Sequence, residues 1–192
     1  QHHLVDQWMF GAPASTMFHP DLEQVRYLLV MGTNPRISNR GHNPTETFKE
    51  LGARSDVTVV VVDPRETETT RGADRHVRVR PGGDVYFLLG MAATLVQNEL
   101  YDAEFVRDRT TGFREIRDLL SRVDVSEMAA RAGVTKAEVV ETATGLAESE
   151  AGAMMFDLGV EQTPFSTLVS YLIRLNTVLT GNVGRRGGNV FV

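Results

Sequence analysis

Two stretches decide the fold: VRYLLVMGTNP (Val25–Pro35) and VTVVVVDPR (Val57–Arg65). Each is an apolar run that breaks off in small, acidic or turn-forming residues. The valines run on without alternation, which suits a strand covered on both faces of its sheet. A strand that ends this way points backbone N–H groups and a carboxylate out of the C-terminal edge of a parallel sheet. Open α/β domains hold their ligands at that edge.

Working outward, Leu4–Phe10 reads as a short helix and GAPA (Gly11–Ala14) as its breaker. Asn43–Leu51 reads as a helix with Pro44 in its first turn and Gly52 as its stop. RHVRVR (Arg75–Arg80) alternates, so it reads as a strand at an edge or rim. PGGD (Pro81–Asp84) is a turn, with Asp84 placed to cap a helix from Val85 towards Leu100. Asp102–Val106 and Gly112–Ile116 each begin a short helix, and Val134–Ala147 is a longer one. Thr135 and Glu138 stand at the spacing of a capping box at its start. Ala151–Phe156 reads as a third core strand. Thr163–Thr180 reads as a long helix stopped by Gly181. This order predicts the α/β class: one three-layer Rossmann-like domain over residues 1–192, with a mainly parallel sheet flanked by helices. A helical excursion occupies roughly residues 100–150.

A chain of 192 residues, 42 % apolar and 23 % charged, is ordinary for a soluble globular domain. A net charge of −5 supplies no basic field, so no nucleic-acid partner is expected. No apolar run is long enough to span a bilayer, so no direct membrane insertion is expected. No signal-peptide pattern opens the chain, and the expected location is cytoplasmic. It has no cysteine, which excludes a thiolate nucleophile, a thiolate metal ligand and an iron–sulfur cluster within these residues. His2 and His3 are adjacent but lack further ligands at a metal-site spacing. His76, in the arginine-rich strand, reads as structural.

Chemistry concentrates at the strand ends. In the first turn Gly32 permits a sharp bend and a close approach to the backbone. Asn34 offers both a donor and an acceptor, Pro35 stiffens the turn, and Ser38 offers a hydroxyl to a phosphate. After the second strand, Asp63 is placed for ribose hydroxyls or a base N–H. Pro64 follows, and Arg65 suits a phosphate. At the third, Gly82 and Gly83 bare the backbone beside Asp84. A carboxylate there matches the two neighbouring N–H donors of guanine. At the fourth, Gly159, Glu161 and Gln162 repeat the theme, with Gln162 suited to a flat heterocycle. Taken singly, each turn also reads as an ordinary loop or helix cap. The dinucleotide fingerprint GxGxxG is absent.

Taken in order, these segments are more specific. GTNP (Gly32–Pro35), DPRETET (Asp63–Thr69), AD (Ala73–Asp74), RPGGD (Arg80–Asp84), LYDAEFV (Leu100–Val106), GVEQ (Gly159–Gln162) and LTGNVG (Leu179–Gly184) cover almost the whole chain. Together they resemble the molybdopterin oxidoreductases of the DMSO reductase superfamily, nearest the formate dehydrogenase and nitrate reductase branch. The resemblance implies a domain holding one half of a bis-molybdopterin guanine dinucleotide, with molybdenum or tungsten, in a larger enzyme that moves two electrons. It implies that Gly32, Asn34, Pro35 and Ser38 face phosphate and ribose. Asp63, Pro64, Arg65 and Thr67 would lie near ribose and guanine, Gly82, Gly83 and Asp84 at guanine, and Gly159, Glu161 and Gln162 nearer the pterin. Expected partners are the remaining domains of the parent chain and an iron–sulfur electron-transfer domain or subunit. The metal ligand of such enzymes lies at or before the start of this chain. The isolated domain is therefore expected to be inactive and not to retain the cofactor. Asp157 stands where a small residue is usual, and Arg186 where a proline is common.

Two other readings remain open on residues alone. A non-catalytic scaffold related to the large iron–sulfur subunit of complex I would share the fold but has no need for acids at Asp63 and Asp84. A generic Rossmann-like nucleotide module is the other, and the missing GxGxxG weighs against nicotinamide.

Overall fold

The computed structural model describes residues 2–13, 15–38 and 43–192. In chain order the elements begin with α1 (His2–Phe10), β1 (Phe18–Pro20), β2 (Tyr27–Met31), α2 (Pro35–Ser38), α3 (Pro44–Ala53), β3 (Thr58–Val62) and β4 (Arg75–Val77). They continue with α4 (Asp84–Gln97), α5 (Ala103–Arg109), α6 (Phe113–Leu120), α7 (Val125–Ala132), α8 (Lys136–Glu148), β5 (Gly152–Phe156), α9 (Leu158–Glu161), α10 (Ser166–Leu179) and β6 (Asn189–Phe191). A short 3-10 turn, Thr70–Gly72, precedes β4. Ala14, the end of the expected breaker, lies outside the described residues. Among the described residues no helix is long and apolar enough to cross a membrane.

Four strands form a parallel sheet in the order β4-β3-β2-β5. Its register places the site. Met31 pairs with Val62 on one side and Phe156 on the other, and Val62 pairs with Val77. The strands therefore end level, and the turns that follow leave from one edge.

Successive strand residues face opposite sides. Leu29, Met31, Val60 and Val62 meet Phe87, Leu88 and Met91 of α4 and Ile173 of α10. Leu28, Val30, Val59 and Val61 meet Phe48 and Leu51 of α3. Both faces are buried, which is why the valine run shows no alternation. The three-layer α/β expectation holds, and α5 to α8 form the helical excursion. The capping box at Thr135 and Glu138 is present with both reciprocal bonds.

Several local expectations are corrected. Asp84 does not cap α4: Gly83 is the N-cap residue and Asp84 is the first helical residue, with no capping bond. Gly52 lies inside α3 rather than stopping it. A Cβ there would stand 2.8 Å from the Gly72 carbonyl oxygen, so close packing under the 3-10 turn explains the glycine. The long helix begins at Ser166, not Thr163, while Gly181, at φ +65°, closes it as expected. β4 stops at Val77, and it does lie at the sheet edge.

The short antiparallel ribbon β1–β6 escaped sequence reading, because three-residue strands carry no period. It joins Phe18 to Phe191, and Phe10 of α1 packs against both rings. β5, expected as a core strand, sits at the other edge of the sheet. Two asparagines close that edge. Asn189 accepts from the Met154 N–H and donates to the Met154 carbonyl, both at 2.8 Å, and Asn182 accepts from the Gly152 N–H. Side-chain amides thus stand in for a neighbouring strand.

Candidate functional site

The turns after β2 and β3 are clasped together. Asn34 donates to a Glu68 carboxylate oxygen and accepts from the Thr69 hydroxyl, both at 2.7 Å. The Arg36 guanidinium donates to the Glu68 carbonyl at 3.3 Å, and the Arg36 N–H donates to Thr69 Oγ1. Both functions of the Asn34 amide are therefore engaged within the protein. Thr67 is buried and orders its own loop: its Oγ1 accepts from the Thr70 N–H, while the Thr70 hydroxyl donates to the Thr67 carbonyl. Ser38, the last residue of α2, is exposed at the end of this turn.

Gly32 is required by the fold itself. Its φ is +56°, and a Cβ there would lie 2.6 Å from the Val160 backbone nitrogen. Its carbonyl accepts from the Gly159 N–H at 2.9 Å, and its N–H donates to Val62. Gly32 and Gly159 thus let the ends of β2 and β5 pack backbone to backbone. The open side expected for a ligand at Gly32 is taken by Gly159 and Val160. Pro35 is buried at the start of α2.

At the next two stations the acids converge. One Asp63 oxygen accepts from the Arg65 N–H at 2.8 Å, a tight Asx turn that carries the chain through Pro64. His76 contacts the Asp63 carbonyl at 2.9 Å and so braces this turn against β4. Arg65 is exposed. Gly82 takes φ +77° in open space, whereas Gly83 is pressed against the Ala132 carbonyl at the end of α7. Asp84 is buried. That burial pushes its carboxyl above the usual carboxylate range, and the nearby Asp63 charge pushes further, partly offset by its own backbone N–H. A buried acid next to another acid is relieved by a pair of N–H donors or by a cation.

The end of β5 is built differently. Glu161 and exposed Gln162 close α9 beside a cavity of about 300 Å³. The cavity is lined by α1, β1, the end of β5 and α10. At its floor Arg174, 1 % exposed, makes a two-pronged pair with buried Asp6 at 2.7 and 2.9 Å. Phe18 and Phe156 flank the guanidinium at 5.2 and 4.6 Å. His2 touches Arg174, Ser170 and Glu161. Burial, with the Arg174 charge next, lowers its pKa to about 3, so the Glu161 contact involves a neutral ring. Burial likewise lowers His19.

The structure thus brings Asn34, Asp63, Asp84 and Gly159–Gln162 to one sheet edge. Sequence reading missed Glu68 and Thr69, which sit inside the quoted DPRETET run. It also missed Thr33, whose buried Oγ1 has no partner. An orphaned hydroxyl, a desolvated acid and a level row of turns fit a polar, donor-bearing ligand along this edge. The grouping of His2 and Asp6 with Arg174 carried no sequence signal, because Arg174 lies 168 residues from Asp6 in the chain. Among the described residues no cluster of three metal-ligating side chains occurs.

The molybdopterin oxidoreductase family profile matches residues 1–192. The alpha subunit of an F420-dependent formate dehydrogenase from Methanococcus maripaludis is 30 % identical over 187 residues, 94 % of this chain and 26 % of that protein. The assimilatory nitrate reductase of Haloferax mediterranei is 32 % identical over 176 residues, 91 % of this chain and 24 % of that protein. Formate dehydrogenase H of Escherichia coli is 28 % identical over 166 residues, 86 % of this chain and 23 % of that protein. Acetylene hydratase from Pelobacter acetylenicus has the same fold, with a TM-score of 0.83 at 22 % identity, over 98 % of this chain and 25 % of its own. The chain spans about a quarter of the length of these relatives.

Proposed function

Because this chain belongs to the molybdopterin oxidoreductase family and is homologous to formate dehydrogenase and nitrate reductase catalytic subunits, we propose that it cradles one guanine dinucleotide half of a bis-molybdopterin guanine dinucleotide. The observation that carries this reading is the buried Asp84 carboxylate beside Asp63 at the C-terminal sheet edge. Guanine N1–H and its exocyclic amine supply the two donors that such an acid needs. Asp63 accepts from the ribose, and exposed Arg65 pairs with a phosphate at the rim, where solvent screens the pair. Asn34, already clasped by Glu68 and Thr69, holds the shape of the first turn, and Thr33 Oγ1 is free to meet a ligand oxygen. Glu161 and Gln162 take the end nearer the pterin.

When bound, the cofactor with its molybdenum or tungsten supplies the two-electron chemistry. The residues here bind it, orient it and neutralise its edges. The remaining domains of the whole protein, an iron–sulfur carrier among them, are the proposed partners. Exposed Trp8, Phe165 and Leu168 offer them apolar surface. The proposed location is cytoplasmic. The test is to purify the whole protein, release its cofactor with acid, and count guanine nucleotide against metal. Two guanine nucleotides per metal, falling in Asp84→Ala, support the reading. Full metal with no guanine nucleotide removes it.

A further inference from the structure

Four side chains run in file from the α1–α10 interface to the ligand edge: Asp6, Arg174, His2 and Glu161. Arg174 commits Nε and Nη2 to Asp6, and its Nη1 lies 3.0 Å from His2 Nδ1. Ser170 Oγ lies 2.5 Å from the same ring nitrogen. A guanidinium only donates, so Nδ1 is an acceptor and the ring proton belongs on Nε2. That nitrogen stands 3.0 Å from Glu161 Oε1. Its N–H is not lined up on the oxygen, and by geometry Nε2 has no hydrogen-bond partner. The contact is therefore one of charge and dipole. The Phe156 ring packs edge-on against the imidazole at 4.5 Å and restricts its rotation.

We infer that Arg174 and Ser170 are positioning residues that lock His2 in its Nε2–H form, and that His2 in turn holds Glu161 as the acceptor for an N–H-bearing heterocycle at the β5 end of the edge. The lock stands on geometry alone, whereas the identity of the occupant rests on the cofactor-binding reading. Charge favours a donor-bearing occupant over an anion. The positive charge of Arg174 is matched by Asp6, His2 is neutral, and Glu161 and Asp157 both line the cavity.

The experiment uses the 192-residue chain labelled with ¹⁵N-histidine, with tetrahydropterin as the probe. Long-range ¹H–¹⁵N spectra should show His2 neutral with the proton on Nε2 from pH 5 to pH 8, and Ser170→Ala should shift its Nδ1 signal. An imidazolium at pH 6, or a proton on Nδ1, overturns the lock. Titration should then move the His2 and Glu161 signals. His2→Phe should weaken tetrahydropterin about tenfold, the size of one hydrogen bond to a charged group. His2→Gln, whose side-chain amide both donates and accepts, should restore most of that loss. Equal binding by His2→Phe and His2→Gln overturns the positioning of Glu161. Wild-type chain that shows the stated tautomer but ignores the pterin overturns the occupant and leaves the lock standing.

Discussion

Replacing Arg174 with methionine strands the Asp6 carboxylate at the α1–α10 interface, where it is 2 % exposed. Removing one partner of a buried pair costs about 3–5 kcal/mol, because the remaining charge is left without compensation. The flanking contacts to Phe18 and Phe156 add about 0.5–1 kcal/mol each. Unfolding entropy near 2.1 cal/mol/K per residue gives about 0.4 kcal/mol/K for 192 residues. The melting temperature should therefore fall by about 10–17 °C, read by far-ultraviolet circular dichroism and calorimetry. The double variant Asp6→Leu with Arg174→Met replaces both charges by apolar groups and should recover most of that loss. A loss below about 1 kcal/mol for Arg174→Met, or a double variant whose loss equals the sum of the singles, refutes the argument.

Gly159→Ala places a Cβ 2.8 Å from the Gly32 Cα, against backbone that cannot rotate away, so stability should drop by about 1–3 kcal/mol in a urea melt. Asn189→Leu leaves the Met154 N–H and carbonyl unpaired, costing about 2–4 kcal/mol, and amide exchange at Met154 should speed up before that of Leu29. For Asp84 the folded-state pKa is raised above the unfolded value, so its contribution is fully present below the unfolded pKa and is lost as pH rises through the folded one. Asp84→Asn should therefore raise the melting temperature of the ligand-free chain at pH 7, and the gain should vanish towards acid pH.

The sheet was legible because its two central strands are buried on both faces. Tyr27–Met31 and Thr58–Val62 announce this by continuous apolar runs that end in Gly32 and Asp63. That the turns share one edge was legible for the same reason: each turn follows a strand, and parallel strands end together. What the glycines do was not. Gly32, Gly159 and Gly83 read as bare backbone for a ligand, yet Gly32 and Gly159 face each other and Gly83 faces Ala132. A sequence shows that a side chain is missing but not what fills the space. Asn34 likewise read as a ligand contact, while its amide is spent on Glu68 and Thr69. The Asp6–Arg174–His2 file was invisible, since it joins the first and last helices and each member alone looks like an ordinary surface residue.

The central claim is that the edge carrying Asp63 and Asp84 selects guanine, and calorimetric titration of the chain with GDP and with ADP tests it most directly. The account predicts measurable GDP binding, weaker ADP binding, and loss of the difference in Asp84→Ala. Equal affinity for GDP and ADP, or a guanine preference that survives Asp84→Ala, contradicts it.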